Sequence, residues 1–486
     1  MKRPLPAVGA VAGAVAALML GVATLPAVAT EPIPPMDAGY LPLLAPLPPP
    51  TGPLPSETAL AVALSPLDGP TLGDSVGAVV MDATSGAVLY SRQADQPRTP
   101  ASTAKILTGT AASTALGAAT RLTTRTVLAP DGAVVLVGGG DPQLREGGDG
   151  HPGDATLADL AKRTAAALKS AAASSAASAS ATGSSDSGSS ASDSSASATG
   201  GSSGSTVTPV SVMVDDTLFT GPTTSPDWPE TLLTTCIVRP VMALMVNSGM
   251  APEEIPCEPD SDPALAAGRT FARLLAAEGI PVVGDIGRRP AANGTELAAV
   301  QSAPIADLIE QTLLRSDNTA AEMLAHLTGG KLAGQASFTG GAAATDQALR
   351  GLGLSTSGLR LADGSGLSRE DRIPPLLLAQ TLARVAANAD SQIWPVGSGL
   401  PVAGFDGTLT TRFATAATLP GRGEVRAKTG TLTDVGALAG WVVDQDGRLL
   451  IFDFVSDKVA DTEEGRLALD RAAAALATCG CTGAPN

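Results

Sequence analysis

Ser102-Thr103-Ala104-Lys105 places a hydroxyl and an amine three positions apart, just after the breaker Pro100 and at the head of the apolar run from Ile106 to Leu116. That run reads as a buried helix. Three residues of separation near a helix start put both side chains on one face, close enough to pass a proton. A serine oxygen is a poor nucleophile without a base beside it. The two histidines, His151 and His326, lie in no recognisable hydrolase motif. The alternative base is a lysine held neutral by burial and by a second nearby cation. Of the seven lysines, Lys105 alone has a serine three residues before it.

Two further polar clusters interrupt apolar segments. Ser316-Asp317-Asn318 separates an apolar helix through Ile305, Leu308, Ile309 and Leu313 from a second one through Ala321, Met323, Leu324 and Leu327. Taken alone it is an ordinary capped loop, since Ser, Asp and Asn all cap helices well. Lys428-Thr429-Gly430-Thr431 continues a strand from Val425, followed by strands at Gly436 to Val443 and Leu449 to Val455 around the turn Asp444 to Gly447. A lysine beside a glycine on a strand lets a substrate backbone pair along it while the cation meets a carboxylate. Taken alone, this too is just a strand end. The three clusters in this order in one chain are much less expected by chance than any one of them.

The set S-x-x-K, S-D-N and K-T-G resembles that of the penicillin-interacting serine enzymes. The separation of Ser102 from Ser316 is far longer than a simple β-lactamase has. It resembles the inserted domain of class C low-molecular-mass penicillin-binding proteins, the D-alanyl-D-alanine carboxypeptidase/endopeptidases. Gly138 to Pro142, Asp363-Gly364-Ser365-Gly366-Leu367-Ser368-Arg369, Leu400 to Gly404, and Asp406-Gly407-Thr408-Leu409 leading to Arg412 carry the same resemblance over residues 70 to 460. Three features depart from the pattern: a Ser/Ala/Gly insertion, four cysteines, and Thr319-Ala320 after Ser-Asp-Asn.

The resemblance implies a fold, a reaction and a set of roles. The fold is α/β (α+β), a β-lactamase/transpeptidase-like antiparallel sheet flanked by helices, with a large domain inserted between the first and second motifs. The reaction is attack by Ser102 on a D-Ala-D-Ala bond of a peptidoglycan stem peptide, with β-lactam antibiotics as covalent inhibitors and no metal or cofactor. Lys105 is the base, its pKa depressed with help from Lys428, and Ser316 relays the proton. Asn318 holds Lys105 and the substrate amide, and Asp317 shapes the loop. Lys428 and Thr429 bind the terminal carboxylate, and the backbone N–H groups of Ser102 and Thr431 form the oxyanion hole. A β-lactamase and a non-catalytic wall-binding protein are the alternatives. The long insertion counts against the first, and the intact Ser102, Lys105, Ser316 and Lys428 against the second.

The elements that must position these residues are readable in outline. Val76 to Asp82 and Ala87 to Ser91 read as a hairpin leading to Ser102; Arg121 to Leu128 and Ala133 to Val137 read as strands. Asp262-Pro263 opens a helix that closes at Gly279 before a strand from Ile280 to Val283. The expected organisation is a discontinuous catalytic domain, 66–125 and 292–486, around an inserted domain, 126–291. Ser170 to Thr206 is nearly pure Ser, Ala, Gly and Asp, so it reads as a disordered insertion in a surface loop or, alternatively, as a linker.

Met1 to Ala29 has the anatomy of an export signal: Lys2 and Arg3, an apolar stretch, then Ala27-Val28-Ala29. Export to the cell wall or periplasm is expected, with membrane association if the signal stays uncleaved. Residues 30–65 read as a proline-rich spacer. In an exported chain, Cys236, Cys257, Cys479 and Cys481 are expected to form two disulfides. Cys236–Cys257 with Cys479–Cys481 is the pairing nearest in sequence among three connectivities. A net charge of -16 and the lack of basic runs speak against a nucleic-acid partner.

Overall fold

A strand whose residues are apolar on both faces is a strand covered on both sides, and Val76–Asp82 is buried at every position. This strand, β1, belongs to the first of two five-stranded sheets in the computed structural model, which describes residues 52–148, 153–182, 208–247, 262–387 and 392–480. The other members are β2 (Val88–Arg92), β8 (Arg426–Leu432), β9 (Val435–Val443) and β10 (Leu449–Ser456). All pairs are antiparallel, in the order β2-β1-β10-β9-β8. One face, with Val80, Leu438, Phe452 and Phe454, packs on helix α11 (Thr462–Ala477). The other, with Val79, Ala439, Trp441 and Ile451, packs on α2 (Lys105–Leu116), α6 (Ile305–Arg315) and α9 (Pro375–Ala386). Strand β8 forms one edge of the sheet. Its first residues pair outward with Pro401 and Val402.

The second sheet has the order β6-β5-β4-β3-β7. It comprises β3 (Arg121–Leu128), β4 (Val134–Val137), β5 (Val212–Asp215), β6 (Gly287–Arg288) and β7 (Thr295–Pro304). The pairs β4/β5 and β5/β6 are parallel, and β3 pairs antiparallel with both β4 and β7. Helices α3 (Leu157–Thr182) and α5 (Pro263–Ala277) cover it, burying Leu160, Ala161, Phe271 and Leu275. Helix α4 (Thr231–Thr234) is a single turn, α7 (Asn318–Leu332) and α8 (Phe338–Gly351) follow α6, and α10 (Trp394–Ser398) follows α9.

Several expected boundaries move. The inserted lobe runs from Arg121 to Pro304 rather than from 126 to 291, because β3 and β7 pair with each other along the second sheet. The chain thus leaves and re-enters the catalytic lobe on neighbouring strands. The spacer expected to reach residue 65 is already folded at α1 (Glu57–Ala63): Ser56 caps it, and Leu60 and Leu64 join the core against α11. Further upstream, Gly52 accepts a hydrogen bond from Arg448 Nη1 at 3.0 Å. Helix α3 extends to Thr182, well into the stretch read as disordered from Ser170; its alanines are the strongest helix formers. The predicted strand Ile280 to Val283 is reduced to one bridge, Val282 with Val210. The proposed signal, most of the spacer, the remainder of the Ser/Ala/Gly stretch, and Cys257 and Cys481 lie outside the described residues. Among the described residues no helix is long and apolar enough to cross a membrane.

Candidate active site

Ser102 stands in a tight turn, Ala101–Ala104, that runs directly into α2. Ala101 takes the left-handed region at φ 48°, which costs a residue with a side chain roughly 1–2 kcal/mol. Its surroundings hold it there. Thr103 Oγ1 donates to the Pro100 carbonyl at 2.7 Å, and two glycines let other segments close on the turn. A Cβ at Gly430 would stand 2.7 Å from the Pro100 carbonyl oxygen, and one at Gly366, whose φ is 82°, 1.9 Å from that of Ala101. Strand β8 and the 363–369 loop therefore both rest against the backbone beside Ser102.

Lys105 Nζ lies 2.9 Å from Ser102 Oγ, 2.6 Å from Asn318 Oδ1 and 2.8 Å from the Ser365 carbonyl oxygen. The Ser-Asp-Asn segment is a helix junction. Ser316 ends α6 in the left-handed region, and Asp317 caps α7 by accepting from Ala320 N at 2.9 Å. That leaves Asn318 on the first turn of α7, where its Nδ2 donates to the Ile237 carbonyl at 2.7 Å. Lys428 reaches Ser316 from the sheet side: Nζ is 2.9 Å from Ser316 Oγ and 2.9 Å from the Thr429 carbonyl. Thr429 Oγ1 lies 2.9 Å from Thr408 Oγ1. Thr431 is exposed farther along β8. The three sequence clusters thus converge as two linked pairs, Ser102 with Lys105 and Ser316 with Lys428, with Asn318 bonded to the first.

A profile of the D-Ala-D-Ala carboxypeptidase 3 (S13) family matches residues 59–259 and 259–477. The chain belongs to that family. It is 35% identical to the carboxypeptidase DacB of Mycolicibacterium smegmatis over 96% of this chain and 94% of that protein. It is 33% identical to a carboxypeptidase of Mycobacterium tuberculosis over 93% of this chain and 90% of the relative. In fold it is similar to penicillin binding protein 4 of Haemophilus influenzae, with a TM-score of 0.63, 20% identity, and coverage of 84% of this chain and 97% of that one. The carboxypeptidase fold and family expected from the three motifs are those found.

In this carboxypeptidase Lys105 and Lys428 are both buried. Burial pushes Lys105 down to about 8, against the upward pull of the Glu322, Asp363, Asp317 and Asp371 carboxyls. Lys428 is pushed well below the usual lysine range by burial, then by the Lys105 and Arg412 cations. Burial is the largest cause for both lysines, and because repulsion between two cations is reciprocal, each disfavours the charge of the other.

Sequence reasoning missed the groups that complete the site. The Ser365 and Ile237 carbonyls are backbone acceptors, and no side-chain pattern marks a carbonyl. Thr408 lies in a stretch that carries the family resemblance, and nothing in its local sequence marks it as a partner of Thr429. Glu322 carried a readable signal: an acid one turn after Asn318, inside the run Ala320 to Ala325 that is otherwise apolar. It is fully buried. Among the described residues no group of three or more His, Cys, Asp or Glu side chains is placed to hold a metal ion.

Proposed function

We propose that Ser102 is the nucleophile and Lys105 the general base of a D-Ala-D-Ala carboxypeptidase acting on peptidoglycan stem peptides. Ser102 Oγ gives its proton to the Lys105 amine and bonds to the penultimate D-Ala carbonyl carbon. The C–N bond then breaks, and the departing D-Ala amine takes a proton through Ser316. Water adds to the acyl-enzyme, releases the shortened peptide and restores the Ser102 hydroxyl. Asn318 holds the lysine and the substrate amide. Lys428 and Thr429 receive the terminal carboxylate. An arriving carboxylate favours the charged form of Lys428, which burial disfavours. The Ser102 and Thr431 N–H groups stabilise the oxyanion, a contribution of about 3 kcal/mol for one such donor.

The observation that carries this reading is a buried lysine, held at about 8, standing 2.9 Å from Ser102 Oγ. A β-lactam presents a strained amide at the same carbonyl position, so a labelled penicillin tests it. The label is expected on the Ser102 peptide and is expected to vanish in Ser102→Ala. A label mapping elsewhere, or persisting in that variant, removes the assignment.

We further propose that the chain works outside the cytoplasm, in the cell wall or periplasm, with Met1 to Ala29 as its export signal. Composition of that stretch supports it, as does the absence of any free thiol among the described residues, Cys236 and Cys479 included. Of the three connectivities for two disulfides, Cys236–Cys257 with Cys479–Cys481 joins the cysteines nearest in sequence. Peptide mass mapping without reduction tests that pairing, and N-terminal sequencing of the mature protein tests the signal.

A further inference from the structure

Lys105 meets its partners through three contacts, and their chemistry is unequal. A neutral lysine amine has two N–H donors and one lone pair, whereas the ammonium has three donors. To accept the Ser102 proton, the lone pair must face Ser102 Oγ, so both N–H groups must be used elsewhere. The two other contacts, Asn318 Oδ1 at 2.6 Å and the Ser365 carbonyl at 2.8 Å, are both pure acceptors. With both occupied, the remaining direction on nitrogen points at Ser102. If either acceptor drifts, the amine is free to rotate and present an N–H to the serine instead.

Asn318 is fixed by its place on α7 and by the Ile237 carbonyl. The Ser365 carbonyl belongs to a loop and needs its own anchor. Glu322, one helical turn after Asn318 on the same face of α7, provides it: Oε2 accepts from Gly364 N at 2.9 Å and Oε1 from Ser365 N at 2.7 Å. The next peptides are held by Asp363, which accepts from Gly366 N at 2.7 Å and Ser368 N at 2.6 Å. From the other side, Thr108 Oγ1 on α2 donates to the Gly364 carbonyl at 2.6 Å.

We propose that Glu322 is a positioning residue for the acylation step: it clamps the 364–365 peptides so that the Ser365 carbonyl occupies one N–H of Lys105 and the lone pair faces Ser102. This rests on the reading of Lys105 as general base. One face of α7 therefore orients the base twice, directly through Asn318 and through the loop by Glu322. The charged and titratable groups around the pair are Asp317 at the α7 cap, Asp363 and Asp371 on the loop, and Lys428 on β8. Burial, with Asp363 beside it, pushes Glu322 above the usual carboxylate range, while hydrogen bonds from Ser365 and Gly364 pull it back down. In its charged form it favours the protonated state of Lys105.

The test is the pH profile of the second-order rate of acylation by a penicillin, from about pH 6 to about pH 10, for the wild type, Glu322→Gln and Glu322→Asp. Gln supplies one acceptor where two N–H groups need one each, and it removes the charge. Its plateau rate is expected to fall by about 10- to 100-fold and its rising limb to move to lower pH. Asp keeps the charge but withdraws it by one methylene, so its plateau is expected to fall while its limb stays at the wild-type pH. A Glu322→Gln plateau equal to wild type, or a fall with an unmoved limb, overturns the proposal. If Glu322→Gln does not fold, Glu322→Asp decides: a wild-type plateau or a displaced limb overturns it. Ser102→Ala and Lys105→Ala run beside them. Loss of labelling in both, with Glu322 variants unchanged, rejects the role of Glu322 alone; persistent labelling in either rejects the assignment of nucleophile and base.

Discussion

The two five-stranded sheets do different work. The first is antiparallel throughout, buried on both faces, and carries Lys428 and Thr429 on its edge strand. The second mixes parallel and antiparallel pairs and carries none of the proposed catalytic side chains. Its lobe reaches the site instead through the segment from Trp228 to Arg239. Trp228 Nε1 donates to Asp363 at 2.8 Å, the Ile237 carbonyl accepts from Asn318, and Arg239 N donates to Thr319 Oγ1 at 3.1 Å. The comparison teaches that one lobe supplies the proposed reacting groups and the other supplies contacts that hold them. An inserted lobe can therefore be part of a catalytic site without contributing a catalytic residue.

Substitutions can break that division or sharpen it. The largest effect belongs to the first lobe. Lys105→Arg keeps a cation that cannot lose its proton, so acylation is expected to drop by about 1,000-fold. Lys428→Arg still offers a positive charge to a carboxylate and is expected to lose about tenfold, a loss that shrinks when the penicillin is replaced by its methyl ester. Equal losses in the two variants, or no dependence on the ester, would remove the distinction between base and carboxylate receptor.

The pH dependence comes next. Lys105 must be neutral to act, and burial places it at about 8, so the wild-type acylation rate should climb through that pH and be low where the lysine is protonated. A flat profile from the acid side would mean that Lys105 does not set the rate. The second lobe gives a smaller effect. Trp228→Phe deletes a buried donor to Asp363 while two backbone N–H groups remain. It should cost about 1–2 kcal/mol of stability and only a few-fold in acylation. A thousandfold rate loss there would put catalysis in the inserted lobe after all. The smallest effect is expected from deleting residues 183–206, which hold no large apolar side chain. Stability and acylation should stay within about 0.6 kcal/mol of the full chain, because loop entropy changes slowly with length.

The sequence is legible where one element states its own pattern. Strands β1 and β3 fall at the residues expected, Val76–Asp82 and Arg121–Leu128, because runs of β-branched and apolar residues bounded by turn formers carry the signal locally. The helix after Asp262 also follows its cap. What depends on distant partners was not legible. No local pattern says that β3 pairs with β7 across the whole inserted lobe, and the domain boundary moved for that reason. Helix α1 was hidden by proline-rich surroundings, and its burial depends on α11, about four hundred residues later. Within the site, side-chain motifs identified both lysines and both serines, while the carbonyl acceptors of Lys105 and Asn318 required the folded loops.

Gly430 sets one further condition. Since a Cβ there would meet the Pro100 carbonyl at 2.7 Å, the gap between the edge strand and the serine turn is fixed by main chain against main chain. Only the methyl groups of Ala101 and Ala437 stand beside that contact, at 3.2 and 3.1 Å from the same position, so any larger side chain at 101, 430 or 437 would push the strand from the turn. Change near the serine turn is then easier at exposed neighbours such as Ile237, which is about half exposed, than at the packed glycine. The spacing of strand and turn is set by residues that have almost no side chain to change.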